Sequence, residues 1–372
     1  MAEDFIVTPW EVKGEIDYDK LVERFGTQLV SAELLARLER HASPLHPLIR
    51  RGIVYSHRDF DRILDEYEKG NGFFLYTGRG PSGHTHLGHI LPWIVTKWLQ
   101  DQFKVKFYFQ LTDDEKFMFD DRLTKDDTRK YAYENMLDVI ALGFDRQLTR
   151  IFLDTELIHT LYPIAISVAR KINFSTVRAV FGFNSSHNIG SIFYTSMQAV
   201  PAFLESVLEG RNIACLIPCG IDQDPHFRIA RDVAPLLGYY KPALLHNKLL
   251  PSLAGGEKMS ASRPHTSVYT TDEAEHVRKK IGNAFTGGRV SVEEQRKLGA
   301  NPDICTVYHY YLYYFMLDDE ELKELYSQCR NGEILCGECK QNLVERIVKF
   351  LEEHQRKREE AKDRIEDFIL RD

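Results

Sequence analysis

The sequence predicts an α/β fold in which a doubly wound parallel sheet is followed by an all-helical C-terminal region. Short apolar runs, such as FFLY at 73–76, VKFYFQL at 105–111 and NIACLIP at 212–218, alternate with stretches in which apolar residues recur at helical spacing. This alternation is typical of parallel strands that are joined by helices. From about residue 263 onward the chain is strongly charged and keeps helical periodicity. We therefore expect residues 263–372 to be helical.

The chain before the first of these strands is predicted to be mostly helical. Residues 1–52 contain helical stretches such as AELLARLERHA. Residues 53–72 are predicted to form one helix, with Asp59 and Asp61 in its first turn. The sequence Gly-Asn-Gly at 70–72 is expected to end this helix, because both residue types favour helix termini.

The elements after the first strand alternate as a parallel sheet requires. ILPWIVTKWLQDQF at 90–103 is predicted to be a helix, and Pro92 is tolerated because it lies near the helix start. A helix is predicted to begin at Asp224-Pro225, since proline is favoured in the first helical turn. Further strands are predicted at 149–155 and 242–250, and one amphipathic helix at 350–372.

The composition is that of an ordinary globular protein, since 43% of the 372 residues are hydrophobic and 28% are charged. The net charge of −7 argues against a DNA-coating surface, so a nucleic-acid partner would have to contact local basic patches. No apolar run approaches the roughly 20 residues that a membrane-spanning helix needs. The acidic N-terminus, MAEDFIVTPW, differs from a signal or transit peptide. We expect a cytoplasmic protein with neither a membrane nor DNA as partner.

The stretch FFLYTGRGPSGHTHLGH at 73–89 is the strongest indication of a functional site. An apolar strand is followed by a loop of small residues and then by a helix that begins at His86-Leu87-Gly88-His89. Histidines 86 and 89 are three residues apart and share one helix face. Imidazoles beside a helix N-terminus can donate hydrogen bonds to phosphate oxygens, so we predict a nucleotide site. Three glycines are predicted to form the turn with positive φ: Gly78, Gly80 and Gly83.

Two groups of residues could instead indicate zinc. Three histidines lie within six residues of the loop, but no cysteine is near and the nearest downstream carboxylate is Asp101. In the C-terminal region, Cys329, Cys336 and Cys339 include the sequence CGEC, but no fourth ligand is present at zinc spacing. We therefore expect no structural zinc.

A second motif lies about 170 residues downstream, where Lys258 begins the sequence KMSAS. Together, HLGH and KMSAS resemble the HIGH and KMSKS signatures of the class I aminoacyl-tRNA synthetases. The longer strings LYTGRGPS, TKWLQDQF, QLTDDEK, IPCGIDQDPHFR, RDVAP and KPALLH are similar to the tryptophanyl-tRNA synthetases of the eukaryotic and archaeal type. The resemblance extends from about residue 4 to the C-terminus. It implies an enzyme that activates L-tryptophan with ATP and transfers it to the 3′-terminal adenosine of tRNA(Trp).

The resemblance also implies a domain order and an assembly. Residues 1–52 correspond to an N-terminal appended segment, and residues 53–262 to a Rossmann-type catalytic domain that ends in the KMSAS loop. A connecting insertion is implied at about 124–210, and a helical anticodon-binding domain at 263–372. The family further implies a homodimer, with the insertion at the contact between subunits.

The implied chemistry needs no enzyme nucleophile. The amino-acid carboxylate is already ionised and attacks the α-phosphate of ATP, so the protein must align the substrates and stabilise charge on the phosphates. Mg²⁺ is expected to arrive with ATP. Alanine stands at 261, where the family usually has a second lysine, which leaves Lys258 as the essential one. The implied catalytic residues are His86, His89, Lys258 and Ser260. The implied ATP-binding residues are Gly78, Gly80, His86, Gly88, His89, Asp222, Lys258, Met259, Ser260 and Ser262.

A tryptophan pocket is implied at the carboxyl ends of the strands. Its indole N–H is expected to donate to Tyr76 and Gln110, because indole has a single donor. The α-ammonium group is expected to bind Glu115 and Gln198. The implied tryptophan-binding residues are Tyr76, Gly78, Gln110, Glu115, Lys116, Gln198, Ile217, Cys219, Gln223 and Phe227, with Lys116 or Gln223 at the carboxylate and Ile217, Cys219 and Phe227 as apolar walls. Asp113 and Asp114, by contrast, are expected to be the solvated start of a helix.

Two other functions stay open. The tyrosyl-tRNA synthetases have a similar fold and most of the same motifs. Their substrate-binding sequence resembles Y-x-x-x-Q-x-x-D, in which the aspartate accepts a hydrogen bond from the phenol hydroxyl of tyrosine. Here Tyr194 and Gln198 are followed by Pro201. A buried phenol without its acceptor loses roughly 1–3 kcal/mol, which favours tryptophan as the substrate. The other alternative is a catalytically silent paralogue with a signalling or binding role, against which the intact HLGH and Lys258 argue.

Overall fold

The computed structural model describes residues 5–7, 12–14, 16–256, 258–259 and 263–372. Two predicted ATP-binding residues of the KMSAS motif, Ser260 and Ser262, lie outside the described residues. Lys258 and Met259 are described.

Strands and helices alternate through the first two thirds of the described chain, as predicted. The described strands, numbered in chain order, are β1 (Ile6–Val7), β2 (Val12–Lys13), β3 (Gln28–Leu29), β4 (Val54–Arg58), β5 (Phe73–Arg79), β6 (Phe107–Leu111), β7 (Thr149–Leu153), β8 (Ala214–Gly220) and β9 (Ala243–Asn247). The five runs that the sequence marks as parallel strands are β5 to β9, and each is confirmed.

Within the described residues, β3 to β9 form one sheet in the order β3-β4-β9-β8-β5-β6-β7. The strands from β9 to β7 in this order are parallel, whereas β4 pairs antiparallel with both β3 and β9. Because β6 and β7 lie on one side of β5 and β8 lies on the other, the strand order reverses between β5 and β8. The carboxyl ends of β5 and β8 therefore flank the crevice in which a doubly wound sheet binds its ligand.

Helices cover the sheet and make up the C-terminal region. In chain order they are α1 (Tyr18–Phe25), α2 (Ala32–Glu39), α3 (Pro47–Arg50), α4 (Phe60–Glu68), α5 (Leu87–Phe103), α6 (Asp113–Phe119), α7 (Lys125–Ala141), α8 (Ile158–Ala169), α9 (Phe174–Phe181), α10 (Ile189–Met197), α11 (Pro201–Glu209), α12 (Asp224–Val233), α13 (Ala274–Gly282), α14 (Val292–Leu298), α15 (Thr306–Tyr310), α16 (Asp319–Arg330) and α17 (Cys336–Lys362). Within the described chain, no helix has both the length and the apolar character needed to cross a membrane.

The apolar side chains of the central strands alternate between two cores on opposite faces of the sheet. Phe73 and Leu75 of β5 lie in the core beneath α4, α5, α7 and the C-terminal helices. Phe74 and Tyr76 lie in the core beneath α8 and α10 to α12. This period of two follows from the pleat of a strand. It sends Tyr76 to the face on which the polar residues at the ends of β6 and β7 also lie.

Two sequence-based predictions of helices are wrong, one at residues 53–72 and the other at residues 350–372. Residues 53–72 are not one helix, because β4 precedes α4 and pairs with β9. The predicted helix at 350–372 ends with α17, after which Phe368 is buried and the tail pairs with β7. The Ile151 N–H donates to the Phe368 carbonyl at 2.8 Å, and the Leu370 N–H donates to the Ile151 carbonyl at 2.8 Å. The tail thus covers an edge strand that would otherwise expose unpaired backbone groups.

Candidate active site

The loop between β5 and α5 brings the HLGH residues to the switch point of the sheet. His86 is the residue that precedes α5, and Gly88 and His89 lie in the first turn of that helix. The predicted positive φ is wrong for Gly78, Gly80 and Gly83. Glycine is required at 78 for another reason, because a Cβ there would lie 2.8 Å from the Gln110 carbonyl oxygen. At Gly80 a Cβ would overlap the Lys116 side chain.

The two histidines of HLGH form a stacked pair of neutral rings. Their ring centroids are 3.5 Å apart and their planes differ by 20°. The His86 backbone N–H donates to His89 Nδ1 at 3.2 Å, so the proton of the neutral His89 ring is on Nε2. Among the described residues, the buried Nδ1 of His86 has no hydrogen-bond partner. Burial, reinforced by the positive charges of Arg79 and Lys258, lowers the pKa of both rings well below 6.5. The pair can therefore donate to phosphate without carrying charge.

We expect the protein to become less stable as the pH falls below 6.5, the usual pKa of histidine. The unfolded chain takes up protons there, whereas burial holds the pKa of His86 and His89 lower in the folded protein. The free energy of unfolding therefore rises with pH in this window, by up to about 1.4 kcal/mol per pH unit for each ring. Denaturant unfolding at pH values on both sides of 6.5 measures the slope. His86→Gln should flatten it, and His276→Gln, at an exposed position of α13, should not. An unchanged slope in His86→Gln would contradict a buried neutral ring.

The structure places Lys258 and Met259, the described residues of the second motif, close to HLGH. The Met259 N–H donates to the Leu250 carbonyl at 2.9 Å, which fixes Met259 to the segment that follows β9. A Cβ on Gly88 would lie 3.4 Å from Met259 Cβ and 3.1 Å from the His86 ring, so glycine at 88 permits both contacts. The Lys258 ammonium donates to Asp222 Oδ2 at 2.6 Å. Because Asp222 lies in the 3-10 turn that follows β8, the predicted cation lies at the switch point.

Sequence analysis overlooked a buried arginine that holds the glycine loop. Arg79 ends β5, is 7% exposed, and donates to the Thr85 hydroxyl at 2.5 Å. The same guanidinium donates to the Gly83 and His84 carbonyls at 3.0 and 2.8 Å. Burial lowers its pKa to about 10, so Arg79 stays charged near neutral pH. The strand-end position within GRG was a signal that could have identified it.

A chain of hydrogen bonds connects the residues that were predicted to bind indole. The Tyr76 hydroxyl donates to Gln110 Oε1 at 2.5 Å, and Gln198 Nε2 donates to the Tyr76 hydroxyl at 2.9 Å. The Tyr194 hydroxyl in turn donates to Gln198 Oε1 at 2.5 Å. Tyr76, Tyr194 and Gln110 are fully buried, so their polar atoms depend on one another. The structure thus brings together three predicted pocket residues.

Apolar residues from β8 and α12 lie beside this chain. Ile217, Cys219 and Phe227 belong to the same buried cluster as Tyr76. The Phe227 and Tyr76 rings meet edge to face, with centroids 5.9 Å apart. Gln223 lies farther along, in the 3-10 turn after β8. The predicted walls are therefore adjacent to the polar chain.

An acid and a base stand together at the start of α6. The Lys116 ammonium lies 2.7 Å from Glu115 Oε1, and the Thr112 hydroxyl donates to Glu115 Oε2 at 2.6 Å. Glu115 is 6% exposed, whereas a quarter of the Lys116 side chain is exposed. Both lie against Gly80, at the mouth of the crevice.

The predicted solvation of Asp113 and Asp114 is wrong. Asp113 is 7% exposed and accepts the Thr155 N–H at 3.2 Å. The Asp114 carboxyl is hydrogen-bonded to Asp154, and burial together with the neighbouring acid raises the pKa of both. Asp154 in turn accepts Gln110 Nε2 at 2.9 and 3.0 Å. Asp154 follows β7 directly, so the rule that ligand-facing groups lie at strand ends could have identified it.

Metal ligands do not gather at this site. In the portion of the chain that is described, no three histidine, cysteine, aspartate or glutamate side chains are arranged to hold a single metal ion.

The family model described as "tRNA synthetases class I (W and Y)" matches residues 68–352 of the chain. The chain is 52% identical over 370 residues to the tryptophan--tRNA ligase of Pyrobaculum calidifontis, which covers 100% of this chain and 99% of that protein. It is 51% identical to the tryptophan--tRNA ligase of Sulfolobus acidocaldarius, with 99% and 96% covered. A solved tryptophanyl-tRNA synthetase from Encephalitozoon cuniculi, bound to tryptophan, superposes with a TM-score of 0.88 at 39% identity, over 96% of this chain and 99% of that one. The chain belongs to the class I tRNA synthetases and, within them, to the tryptophanyl-tRNA synthetases.

Proposed function

We infer that the protein is a tryptophan–tRNA ligase. It activates L-tryptophan with ATP to tryptophanyl-adenylate and pyrophosphate, and then transfers tryptophan to the 3′-terminal adenosine of tRNA(Trp). The observation that carries this proposal is the meeting of HLGH and Lys258 at the switch point of the sheet, beside the buried chain of Tyr76, Gln110 and Gln198. A nucleotide site beside a buried polar cluster that can accept an indole N–H is what this reaction requires.

The histidine pair is proposed to bind the phosphates of ATP at the α5 N-terminus. The Nε2–H of His89 is available as a donor because its Nδ1 already accepts the His86 N–H. Neutral donors and a helix N-terminus stabilise negative charge on phosphate oxygens without the cost of burying a second cation. Gly78, Gly80 and Gly88 are proposed to let the nucleotide approach the backbone, and Mg²⁺ is proposed to accompany the ATP phosphates.

Lys258 is proposed to change partners during activation. In the structure its charge is neutralised by Asp222, at 2.6 Å. As tryptophan's carboxylate attacks the α-phosphate, the bond to pyrophosphate breaks and negative charge accumulates on the leaving group. The Lys258 ammonium, on a loop beside that position, can pair with the departing pyrophosphate. Met259, Ser260 and Ser262 are also proposed to bind ATP. Stabilisation that grows in the transition state accelerates the reaction.

The Glu115–Lys116 pair is complementary to an amino-acid zwitterion. The two groups neutralise each other at 2.7 Å. We propose that Glu115, with Gln198, receives the α-ammonium group, while Lys116 or Gln223 receives the carboxylate. Binding then replaces the Glu115–Lys116 ion pair by ion pairs with the ammonium and carboxylate groups of tryptophan. The net charge of the crevice stays neutral, which limits the desolvation cost.

Recognition of indole rests on the orientation of the Gln110 amide. Its nitrogen donates to both oxygens of Asp154, so its carbonyl oxygen must face Tyr76 and the pocket. The pocket then offers acceptors to the single indole N–H, between the walls Ile217, Cys219 and Phe227. Pro201 is the first residue of α11. It stands at the position where the motif that the tyrosyl-tRNA synthetases resemble has an aspartate. The tryptophan-bound relative with 39% identity supports the same assignment.

The remaining proposals concern partners and place of action. Residues 263–372 are proposed to read the tRNA anticodon, residues 1–52 to form an appended segment, and residues 124–210 to include the insertion that contacts a second subunit in a homodimer. Apolar side chains on the surface of α8 to α10, such as Tyr162, Ile166 and Ile189, support such a contact, since they are 46–79% exposed. We propose a cytoplasmic location, where tRNA is charged.

Pyrophosphate exchange with each amino acid in turn tests the function. Tryptophan is expected to drive exchange, and tyrosine at the same concentration should give at least about 100-fold less, because a pocket without the phenol acceptor leaves polar groups unpaired. Charging of tRNA(Trp) with tryptophan should follow. Exchange driven by tyrosine would reassign the enzyme to the tyrosine branch. A complete absence of exchange would indicate a silent paralogue.

A further inference from the structure

A pair of acids lies at one end of the hydrogen-bonded chain in the proposed tryptophan pocket. Asp154 follows β7 directly and is fully buried. Asp114 is half-buried and lies in the first turn of α6. The two carboxyl groups are hydrogen-bonded to each other. This contact requires a proton, because an ionised carboxylate can only accept hydrogen bonds.

The surroundings of the two acids decide which of them holds the proton. Burial, together with the charge of neighbouring acids, raises the pKa of both groups. Asp114 Oδ1 accepts the Glu115 N–H at 2.7 Å, and the start of a helix favours a negative charge. The charge of the pair therefore belongs on Asp114. Asp154, which is the more deeply buried, holds the proton and donates it to Asp114.

The direction of every hydrogen bond in the chain follows from this end. Gln110 Nε2 lies 2.9 and 3.0 Å from the two Asp154 oxygens, so the Gln110 carbonyl oxygen faces away from Asp154. That oxygen accepts the hydrogen of the Tyr76 hydroxyl at 2.5 Å. The Tyr76 oxygen in turn accepts from Gln198 Nε2 at 2.9 Å, and Gln198 Oε1 accepts from the Tyr194 hydroxyl at 2.5 Å.

These bonds leave acceptors rather than donors for the substrate. Each tyrosine hydroxyl donates its single hydrogen within the chain, and each glutamine nitrogen faces an acceptor within it. Gln198 Nε2 also lies 3.4 Å from Gln110 Oε1, a long contact that an incoming N–H can replace. The oxygens of Tyr76 and Gln110 therefore have lone pairs for the substrate. A ring with an acceptor in place of the N–H would meet only other acceptors.

The backbone around the acids holds Asp154 in position. The Asp154 N–H donates to the Leu111 carbonyl at 3.2 Å. The next residue, Thr155, donates to Asp113 through its N–H at 3.2 Å and through its hydroxyl at 2.5 Å. The end of β7 is thus fastened to the end of β6 and to the start of α6. Asp154 is therefore a fixed acceptor for the Gln110 amide.

We propose that Asp154 is a positioning residue which, by sharing a proton with Asp114, makes the pocket an acceptor of hydrogen bonds and so selects a substrate ring with an N–H. Asp154 acts through Gln110 and does not contact the substrate. Without Asp154, the Gln110 amide is free to rotate and to present its nitrogen to the ring. This role rests on the proposed activation of tryptophan and explains how the pocket selects it.

The analogue β-(3-benzothienyl)-L-alanine tests the role, because it has the shape of tryptophan with sulfur in place of the N–H. Pyrophosphate exchange gives kcat/KM for each of the two substrates. We expect the wild-type protein to prefer tryptophan by about 100-fold. Asp154→Ala should lower this ratio at least about tenfold. A general loss of pocket shape would instead lower the activity with both substrates alike.

The outcomes separate the role of Asp154 from the proposed function. An unchanged ratio in Asp154→Ala, with wild-type exchange driven by tryptophan, overturns only the role of Asp154. The absence of exchange with tryptophan in the wild type would contradict the proposed function and this selection with it.

Two conservative variants are the matched controls. Asp154→Asn introduces an amide that still donates to Asp114 and accepts from Gln110, so the ratio should stay within about twofold of the wild-type value. Asp113→Asn changes the neighbouring acid, which faces Thr155, and should also leave the ratio unchanged. A ratio in Asp154→Asn as low as that in Asp154→Ala would mean that the pocket needs an ionised carboxylate, which overturns the shared proton.

Infrared spectroscopy of the whole protein detects the proton without any substrate. A protonated carboxyl group has a C=O stretching band that is separate from the bands of ionised carboxylates. The difference between the spectra of the wild type and Asp154→Asn should contain this band at neutral pH. Its absence from the difference spectrum would overturn the proposal, whatever the activity of the variants.

Discussion

Replacing Lys258 by alanine is expected to slow adenylate formation by about 10²- to 10³-fold while changing the affinity for tryptophan less than about twofold. The ammonium lies beside Asp222, at the proposed position of the departing pyrophosphate, whereas the hydrogen bonds described for the Tyr76 hydroxyl join it to Gln110 and Gln198. Its charge is therefore needed when the leaving group forms and not when tryptophan binds. Single-turnover formation of the adenylate measures the first quantity, and calorimetric titration with tryptophan measures the second.

The matched control for this experiment is Lys241→Ala, which removes an exposed lysine that precedes β9 and should leave both quantities unchanged. Lys258→Arg keeps the positive charge and is expected to retain part of the rate. A parallel loss of rate and tryptophan affinity in Lys258→Ala would mean that the lysine maintains the shape of the site and does not act on the leaving group.

Asp138→Ala is expected to lower the free energy of unfolding by about 3–5 kcal/mol, because it removes the buried carboxylate that pairs with both His354 and Arg358 and leaves the buried guanidinium only the partly exposed Glu134. Asp138 on α7 is 1% exposed, accepts His354 Nε2 at 2.9 Å and pairs with Arg358, both on α17. Burial alone would raise the pKa of Asp138, but the hydrogen bond from His354 and the charge of Arg358 bring it below 3.8. The Asp138 carboxylate thus fastens α17 to α7, a helix that covers the parallel sheet.

Denaturant unfolding measures Asp138→Ala beside the control Glu360→Ala. Glu360 is an exposed partner of Arg356 within α17, so its removal should not change the free energy of unfolding measurably. Since the folded pKa of Asp138 is depressed, its contribution is complete above pH 3.8 and is lost as the pH falls through the folded value. The difference between wild type and Asp138→Ala should therefore narrow in acid. Equal stabilities at neutral pH would contradict a buried ionised pair.

The same carboxylate gives a physical connection between the C-terminal helical region and the loop that carries HLGH. Asp138 is hydrogen-bonded to Thr85, whose hydroxyl accepts Arg79 at the base of HLGH. The Tyr314 hydroxyl donates to the Leu87 carbonyl at 2.5 Å, and the Leu87 N–H donates to the Val268 carbonyl at 3.0 Å. The loop that holds His86 is therefore supported by residues from the C-terminal part of the chain.

The sequence by itself determined the parallel strands, the start of α5 at His86 and the two signature motifs. These features depend on residues that are close along the chain: apolar runs in β5, β6 and β8, and an uninterrupted helical pattern after HLGH. It also identified Tyr76, Gln110 and Gln198, although only through their resemblance to a family. Local pattern was ambiguous at 53–72, where the short strand β4 precedes a strong helix.

The tertiary structure alone decided which distant polar groups became partners. It brought Asp154 to Gln110, Arg358 and His354 to Asp138, and Asp222 to Lys258. It also buried Asp113 and paired the half-buried Asp114 with Asp154, although their sequence is typical of an exposed helix start. The physical reason is that a charged side chain is paired according to which elements pack around it. That packing depends on the whole sheet and not on the neighbouring residues of the chain.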